Sequence, residues 1–193
     1  MPAILLASTS IHRQALLARL GLPFDCEAPG VPENVLPGEA PAVRAARLAL
    51  AKARAVAAAH PTAIVIGSDQ VASLQQGDET LLLRKPGDRD RCREQLRAMS
   101  GRTARFDTAA AVILGAIELV HTDTTRVNFR PLDDATIESY MDREPSFDCA
   151  GGFKCEGRGV ILFESIESRD PTALIGLPLI WVCASLRQLG VVL

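Results

Sequence analysis

Ser8, Ser10, Arg13, Glu33, Lys52, Asp69 and Lys85 bring two hydroxyls, three cations and two carboxylates into the first half of the chain. That is the inventory for a metal-bound polyphosphate. Carboxylates hold Mg2+ with few protein ligands, and cations neutralise phosphate oxygens. The densest stretch is "LLASTSIHRQALLARLGLPF", from Leu5 to Phe24. A strand that feeds a helix through a small polar loop presents unpaired backbone N–H groups and the positive end of the helix dipole. Ser8 and Ser10 add donors there, and Arg13 adds a planar fork suited to phosphate oxygens. The glycines and Gly-Lys-Thr ending of a Walker loop are absent. Asp69 follows an apolar run, and this reading puts it at the carboxyl end of a strand, where ligands bind in open α/β sheets. Taken singly, these residues read as a helix cap, solvated acids and surface lysines. Their combination points to chemistry.

The elements that must position them can be read from periodicity and punctuation. Ala3–Ala7 is a short apolar run that reads as a buried strand. Ser10 can cap a helix over Ile11–Leu20 with Leu16, Leu17 and Leu20 on its buried side; Gly21 ends it. "EAPGVPENVLPGEAP" holds four prolines and two glycines and reads as a long irregular loop that carries Glu33. Pro41 can open an alanine-rich helix whose apolar stripe is expected through Val43, Ala46, Leu50 and Ala57, with Lys52 off that stripe. "TAIVIGSDQ" reads as a strand and "VASLQQGDETLLLRKPG" as a hairpin turning at Gly77-Asp78. Asp88 caps a helix reaching Met99. Two long strands are expected to meet near Gly115, followed by a helix from about Asp134 to Met141. "REPSFDCAGGFKCEGRG" reads as a second irregular loop, "VILFESIES" as a strand, and Pro178 as the start of a last helix. The mixture of βα units and hairpins predicts an α/β fold with a mixed sheet between helices, in one domain over 1–193.

Bulk properties narrow the function. The chain has 193 residues, of which 48% are hydrophobic and 23% charged, a globular composition. A net charge of -2 argues against a broad nucleic-acid footprint, while a small polyphosphate site needs only a few local cations. No run is long and apolar enough to span a bilayer, so no membrane partner is expected. Before Asp25 there are basic residues but no acidic one, weakly like a transit peptide; the folded reading is preferred. Five cysteines, an odd number with no C-x-x-C pair, predict reduced thiols and a cytoplasmic protein. The three histidines make no zinc pattern. Trp181 is expected in the core and Tyr140 on a helix face. Cys149 lies near the site but has no evident histidine to activate it as a nucleophile.

With "LASTSIHRQALLARLG", the Glu33 loop, "RLALAKA" around Lys52, "IGSDQVA", "RKP" and "DCAGGFKCEGRG...GLPL", the chain resembles the Maf-like nucleoside triphosphate pyrophosphatases over almost its whole length. The resemblance implies an α/β fold around a bent mixed sheet, with two lobes around a central cleft. It implies hydrolysis of a nucleoside triphosphate to the monophosphate and pyrophosphate with a divalent cation, Mg2+ or Mn2+. Asp69 matches the family's catalytic base, and Ser8, Arg13, Glu33, Lys52 and Lys85 match positions lining the phosphate and metal site. Glu33 and Asp69 are then the metal ligands, and a homodimer is allowed by the family. The motifs "SDQ", "DCAG" and "FKCEG" depart from the branch acting on thymidine and uridine triphosphates. They resemble the branch that hydrolyses 7-methyl-GTP, in which positions matching His12, Gln70 and Glu156 set base choice. Ile11 and His12 depart from the proline and larger aromatic expected there.

Two rival functions follow from the same residues. One is the same chemistry on dTTP and UTP. The other is a nucleotide-binding regulator, for instance of cell division, which would not need the acid pair.

Overall fold

In the computed structural model, residues 2–193 are described. The first elements are β1 (Ile4–Ala7), α1 (Ile11–Ala18), β2 (Asp25–Cys26), α2 (Pro41–Ala57), β3 (Ile64–Gln76) and β4 (Glu79–Leu83). There follow α3 (Arg89–Met99), β5 (Thr103–Leu114), β6 (Ile117–Phe129), α4 (Asp134–Arg143), β7 (Phe163–Glu167) and α5 (Leu179–Gln188). The seven strands hydrogen-bond in the order β2-β1-β3-β5-β6-β7, with β4 paired to β3. The sheet is mixed, as expected: β1 runs parallel to β2 and β3, whereas β3–β4 and β6–β7 are antiparallel.

The chain divides into two compact units. The first comprises Met1–Gln70, Thr108–Asp123 and Asp170–Leu193. Its core sets Leu6, Ile64, Ile66 and Val112 of the sheet against Leu16, Leu17, Val182 and Leu186 of α1 and α5. The second comprises Val71–Asp107 and Thr124–Arg169. There Phe153 meets Phe106, Phe129 and Phe163 edge-on, with ring centroids 4.9–5.5 Å apart.

Local signals explain most element ends. Ser10, Asp88 and Asp133 each accept a backbone N–H of the helix they precede, and such caps contribute about 1 kcal/mol each. Gly77 and Gly115 adopt positive φ at the two hairpin turns, where a side chain would be strained.

Four expectations need correction. Asp69 does not end its strand. β3 continues to Gln76, because "VASLQQ" goes on in extended form and pairs with β4. Parallel pairing with β1 does stop at Gly67, so Asp69 stands just past the end of the parallel part. The stripe on α2 is also different. The buried face is Ala45, Leu48, Ala49, Lys52, Ala53 and Val56, while Val43 is 59% exposed. An alanine-rich helix is weakly apolar all round, so periodicity alone does not select its inner face. The last strand starts later than expected: Arg158–Leu162 forms a 3-10 turn before β7. Trp181 is half-buried and stacks on His121, with centroids 5.4 Å apart, at the margin of the core. The two-residue strand β2, beside the proline-rich loop, was not foreseen.

Candidate active site

Three residues distant in sequence converge in the first unit. The Lys52 ammonium lies 2.6 Å from Asp69 Oδ1 and 2.5 Å from Glu33 Oε1. Lys52 is only 6% exposed and Asp69 7%, whereas the Glu33 side chain remains half open to solvent. α2 lies almost on β3 at this point, and Gly67 permits the approach. A Cβ there would stand 2.3 Å from the Ala49 carbonyl oxygen and 2.7 Å from the Ala53 nitrogen. Lys52 projects from the helical turn between those two residues.

Glu33 reaches the cluster from the proline-rich loop, and two arginines on α2 hold that loop. Arg44 donates to the Glu33 carbonyl, and Arg47 donates to the Asn34 carbonyl. Arg47 also makes a two-pronged ion pair with Glu39, at 2.5 and 2.7 Å.

Arg13 is fixed from another side. Its Nε donates to the Gly176 carbonyl at 2.9 Å, and Ser68 donates to the same oxygen at 2.9 Å. Gly176 adopts φ +129 at the end of a tight loop. Asp170 braces that loop, accepting from Thr172 N, Thr172 Oγ1 and Ile180 N. The Thr172 hydroxyl oxygen also lies 2.8 Å from the Leu177 carbonyl, which competes with Asp170 for its single proton, and it accepts from Leu179 N. The amide nitrogen of Gln70 donates to Thr108 Oγ1 and to the Ala173 and Leu174 carbonyls. Neither the Asp170 loop nor Ser68 and Thr108 were singled out from sequence. An Asp two residues before a Thr is an Asx-turn signature, and it was the available signal.

Electrostatics separates the two carboxylates. Burial raises the Asp69 pKa above its ordinary value, outweighing the lowering charge and hydrogen bond of Lys52 and the charge of Arg13. Burial acts the same way on Glu33, but there the hydrogen bond and charge of Lys52, then Arg13 and Arg44, leave the pKa below normal. Two carboxylates whose environments push them apart are suited to different roles. Burial lowers the Arg13 pKa against the raising pull of Asp69 and Glu33.

The other sequence-identified residues fall as follows. Ser8 is buried, and its Oγ accepts the Ser10 N–H at 3.1 Å. Ser10 Oγ accepts the Arg13 N–H as the cap of α1. His12 is half-buried on the first turn of α1. Lys85 and Glu156 belong to the second unit, and both are exposed. The loop bearing Glu156 is pinned: Glu144 accepts the Arg158 N–H, and Tyr140 Oη accepts the Lys154 N–H at 3.1 Å. A Cβ at Gly157 would stand 2.3 Å from the Glu144 carboxylate. The Cys155 thiol donates to Glu156 Oε2 at 3.4 Å. All five cysteines are unbridged. Burial pushes Cys149 and Cys155 up to about 12, so neither thiol is a ready nucleophile.

The chain is similar to known proteins over nearly its whole length. A "7-methyl-GTP pyrophosphatase" of Xanthomonas axonopodis pv. citri is 52% identical over 190 residues, covering 98% of each chain. Proteins of the same name from Polaromonas sp. and Bordetella parapertussis are each 50% identical, over 98% of this chain and 86% and 93% of theirs. The profile of the Maf-like protein family matches residues 3–189, and with near-complete coverage on both measures the chain belongs to that family.

Proposed function

We propose that this protein hydrolyses the bond between the α- and β-phosphates of 7-methyl-GTP, or of a closely related modified nucleotide, releasing the monophosphate and pyrophosphate. The reading is supported by the names of relatives at about half identity over the full chain. The observation that carries it is the convergence of Glu33, Lys52 and Asp69, with Arg13 close enough for its charge to act on both carboxylates.

In this reading Asp69 aligns the attacking water and takes its proton, since its raised pKa makes it the stronger base of the carboxylate pair. Arg13, Lys52 and Lys85 neutralise phosphate oxygens, and Ser8 and Ser10 sit where a strand becomes a helix. Glu33 and Asp69 are hard oxygen donors already aimed at a single point of positive charge, which fits a divalent cation such as Mg2+ or Mn2+. When bound, that cation would draw charge off the phosphates. Glu156 reads the base: a guanine edge offers adjacent N1–H and N2–H donors that one carboxylate can accept, and N7 methylation strengthens both bonds. Gln70 and His12 complete base selection. Among the described residues no helix is long and apolar enough to cross a membrane. The unbridged thiols support a cytoplasmic setting.

The test is pyrophosphate release from a panel containing 7-methyl-GTP, GTP, dTTP and UTP, with and without divalent metal. Metal-dependent release with highest kcat/KM on 7-methyl-GTP is expected. Preference for dTTP and UTP would assign the other branch, and binding without release would leave a nucleotide-binding regulator.

A further inference from the structure

Glu33 and Asp69, proposed above to hold the divalent cation, already share a cation. The Lys52 ammonium sits 2.5 Å from one carboxylate and 2.6 Å from the other. It is nearly sealed from solvent, and it arises from the buried face of α2, where Gly67 lets the helix press against β3. A buried ammonium with two carboxylate partners is well compensated, and moving it away from both costs free energy unless another anion receives it. A divalent ion approaching the pair meets both an occupied point and a like charge a few ångströms away. A triphosphate changes this balance, because its oxygens offer the ammonium new partners.

We infer that Lys52 is a built-in counter-ion that keeps the Glu33–Asp69 pair closed to divalent metal until a polyphosphate draws its ammonium away. The inference rests on the proposed role of Glu33 and Asp69 as metal ligands. It makes metal entry dependent on the nucleotide, so that the carboxylates and the substrate are neutralised together. Lys52 is then a gating residue in the free protein and a phosphate-binding residue in the complex.

The test measures Mn2+ binding to the metal-free protein, without nucleotide, by the electron paramagnetic resonance signal of unbound Mn2+. Lys52→Met keeps the length of the side chain and removes its charge. The variant is expected to bind Mn2+ roughly ten- to a hundred-fold more tightly than the unmodified chain, the scale of a removed nearby charge. Equal or weaker binding by a folded Lys52→Met would overturn the inference.

A second measurement needs no variant at the site. The chain has three lysines, Lys52, Lys85 and Lys154, so 15N-lysine labelling gives few Nζ signals. The Lys52 signal should stay in place with Mg2+ alone and move when Mg2+ is joined by a non-hydrolysable triphosphate analogue. A shift with Mg2+ alone would overturn the inference even if Lys52→Met does not fold. The outcome is separable from that of the proposed function. Metal-dependent pyrophosphate release beside unchanged Mn2+ affinity in Lys52→Met rejects the gate alone. Raised affinity without pyrophosphate release from any nucleotide rejects the activity alone.

Discussion

Gly67 of β3 lies so close to Ala49 of α2 that a Cβ on the glycine would stand 2.3 Å from the Ala49 carbonyl oxygen. This approach seats the helix bearing Lys52 directly against the strand bearing Asp69. The backbone on both sides is regular secondary structure, so neither can yield without moving the element.

Gly67→Ala should therefore act on both stability and turnover. Forcing a methyl group into close-packed backbone costs about 1–3 kcal/mol, and α2 must shift away from β3. The melting temperature should fall, and kcat should fall beyond what the loss of folded protein explains. Wild-type turnover per folded molecule would show that the Lys52–Asp69 distance is not set here.

Asp69→Asn keeps an acceptor for the Lys52 ammonium while removing the base. The expected loss in kcat is about 10²–10⁴-fold, the usual range for a general base. Far-ultraviolet circular dichroism should be unchanged. A folded variant with full turnover would remove Asp69 from the chemistry.

Arg47 binds the Asn34 carbonyl and both Glu39 oxygens, and so holds the loop that delivers Glu33. Arg47→Ala should raise the Mg2+ concentration needed for half-maximal rate several-fold. The rate at saturating metal should change much less, because every group proposed to bind the phosphates is retained. Steady-state rates across a metal titration separate these two effects.

Glu156→Gln exchanges a double acceptor for one acceptor and one amide donor. Activity on 7-methyl-GTP should fall by about 1–3 kcal/mol of transition-state stabilisation, the range for a lost charged hydrogen bond. Activity on UTP should fall much less or rise. An equal fall on both nucleotides would show that Glu156 does not read the base.

The ion pairs joining α3 and α4 set a pH dependence of stability. Hydrogen bonds from Arg93 and then Arg89 lower the Glu138 pKa from 4.5 to about 2. A depressed carboxylate contributes its stability in full above the unfolded value, and loses it as pH falls through the folded one. Glu138→Gln should therefore melt below the unmodified chain at neutral pH, with the gap closing between pH 4.5 and about 2. Salt should narrow the gap at neutral pH, since these groups face solvent. Paired melting curves across pH and salt test both statements.

Local chemistry was legible where one residue decides an outcome. Ser10 and Asp88 cap the helices expected of them, and Gly77-Asp78 turns the hairpin as foreseen. What sequence could not supply was the choice among equivalent local options. The alanine-rich α2 offers several weakly apolar faces, and tertiary contact at Gly67 selects the one that buries Lys52. The end of β3 was misjudged because Ser68, Asp69 and Gln70 look like a loop but lie in the extended strand. In the site, the charged residues could be named from their types. The pairing of Lys52 with both carboxylates could not, since it joins positions 17 and 19 residues apart through folding alone. Asp170 carries only the weak signal of a Thr two residues on. The supports at Ser68 and Thr108 are hidden for a different reason: each donates to backbone oxygens that sequence does not distinguish.

That last property shapes what mutation can do to the loop after Asp170. Arg13, Ser68, Gln70 and Thr108 all donate to main-chain oxygens of Ala173, Leu174 or Gly176. Every residue type carries such an oxygen, so Ala173 and Leu174 can drift among small and apolar side chains of similar bulk with these bonds intact. The donors have no such latitude, because each supplies a particular atom. In a library of random variants, tolerance should therefore be uneven: permissive at Leu174, narrow at Gly176 with its positive φ, and narrowest at the buried hydroxyls of Ser68 and Thr108.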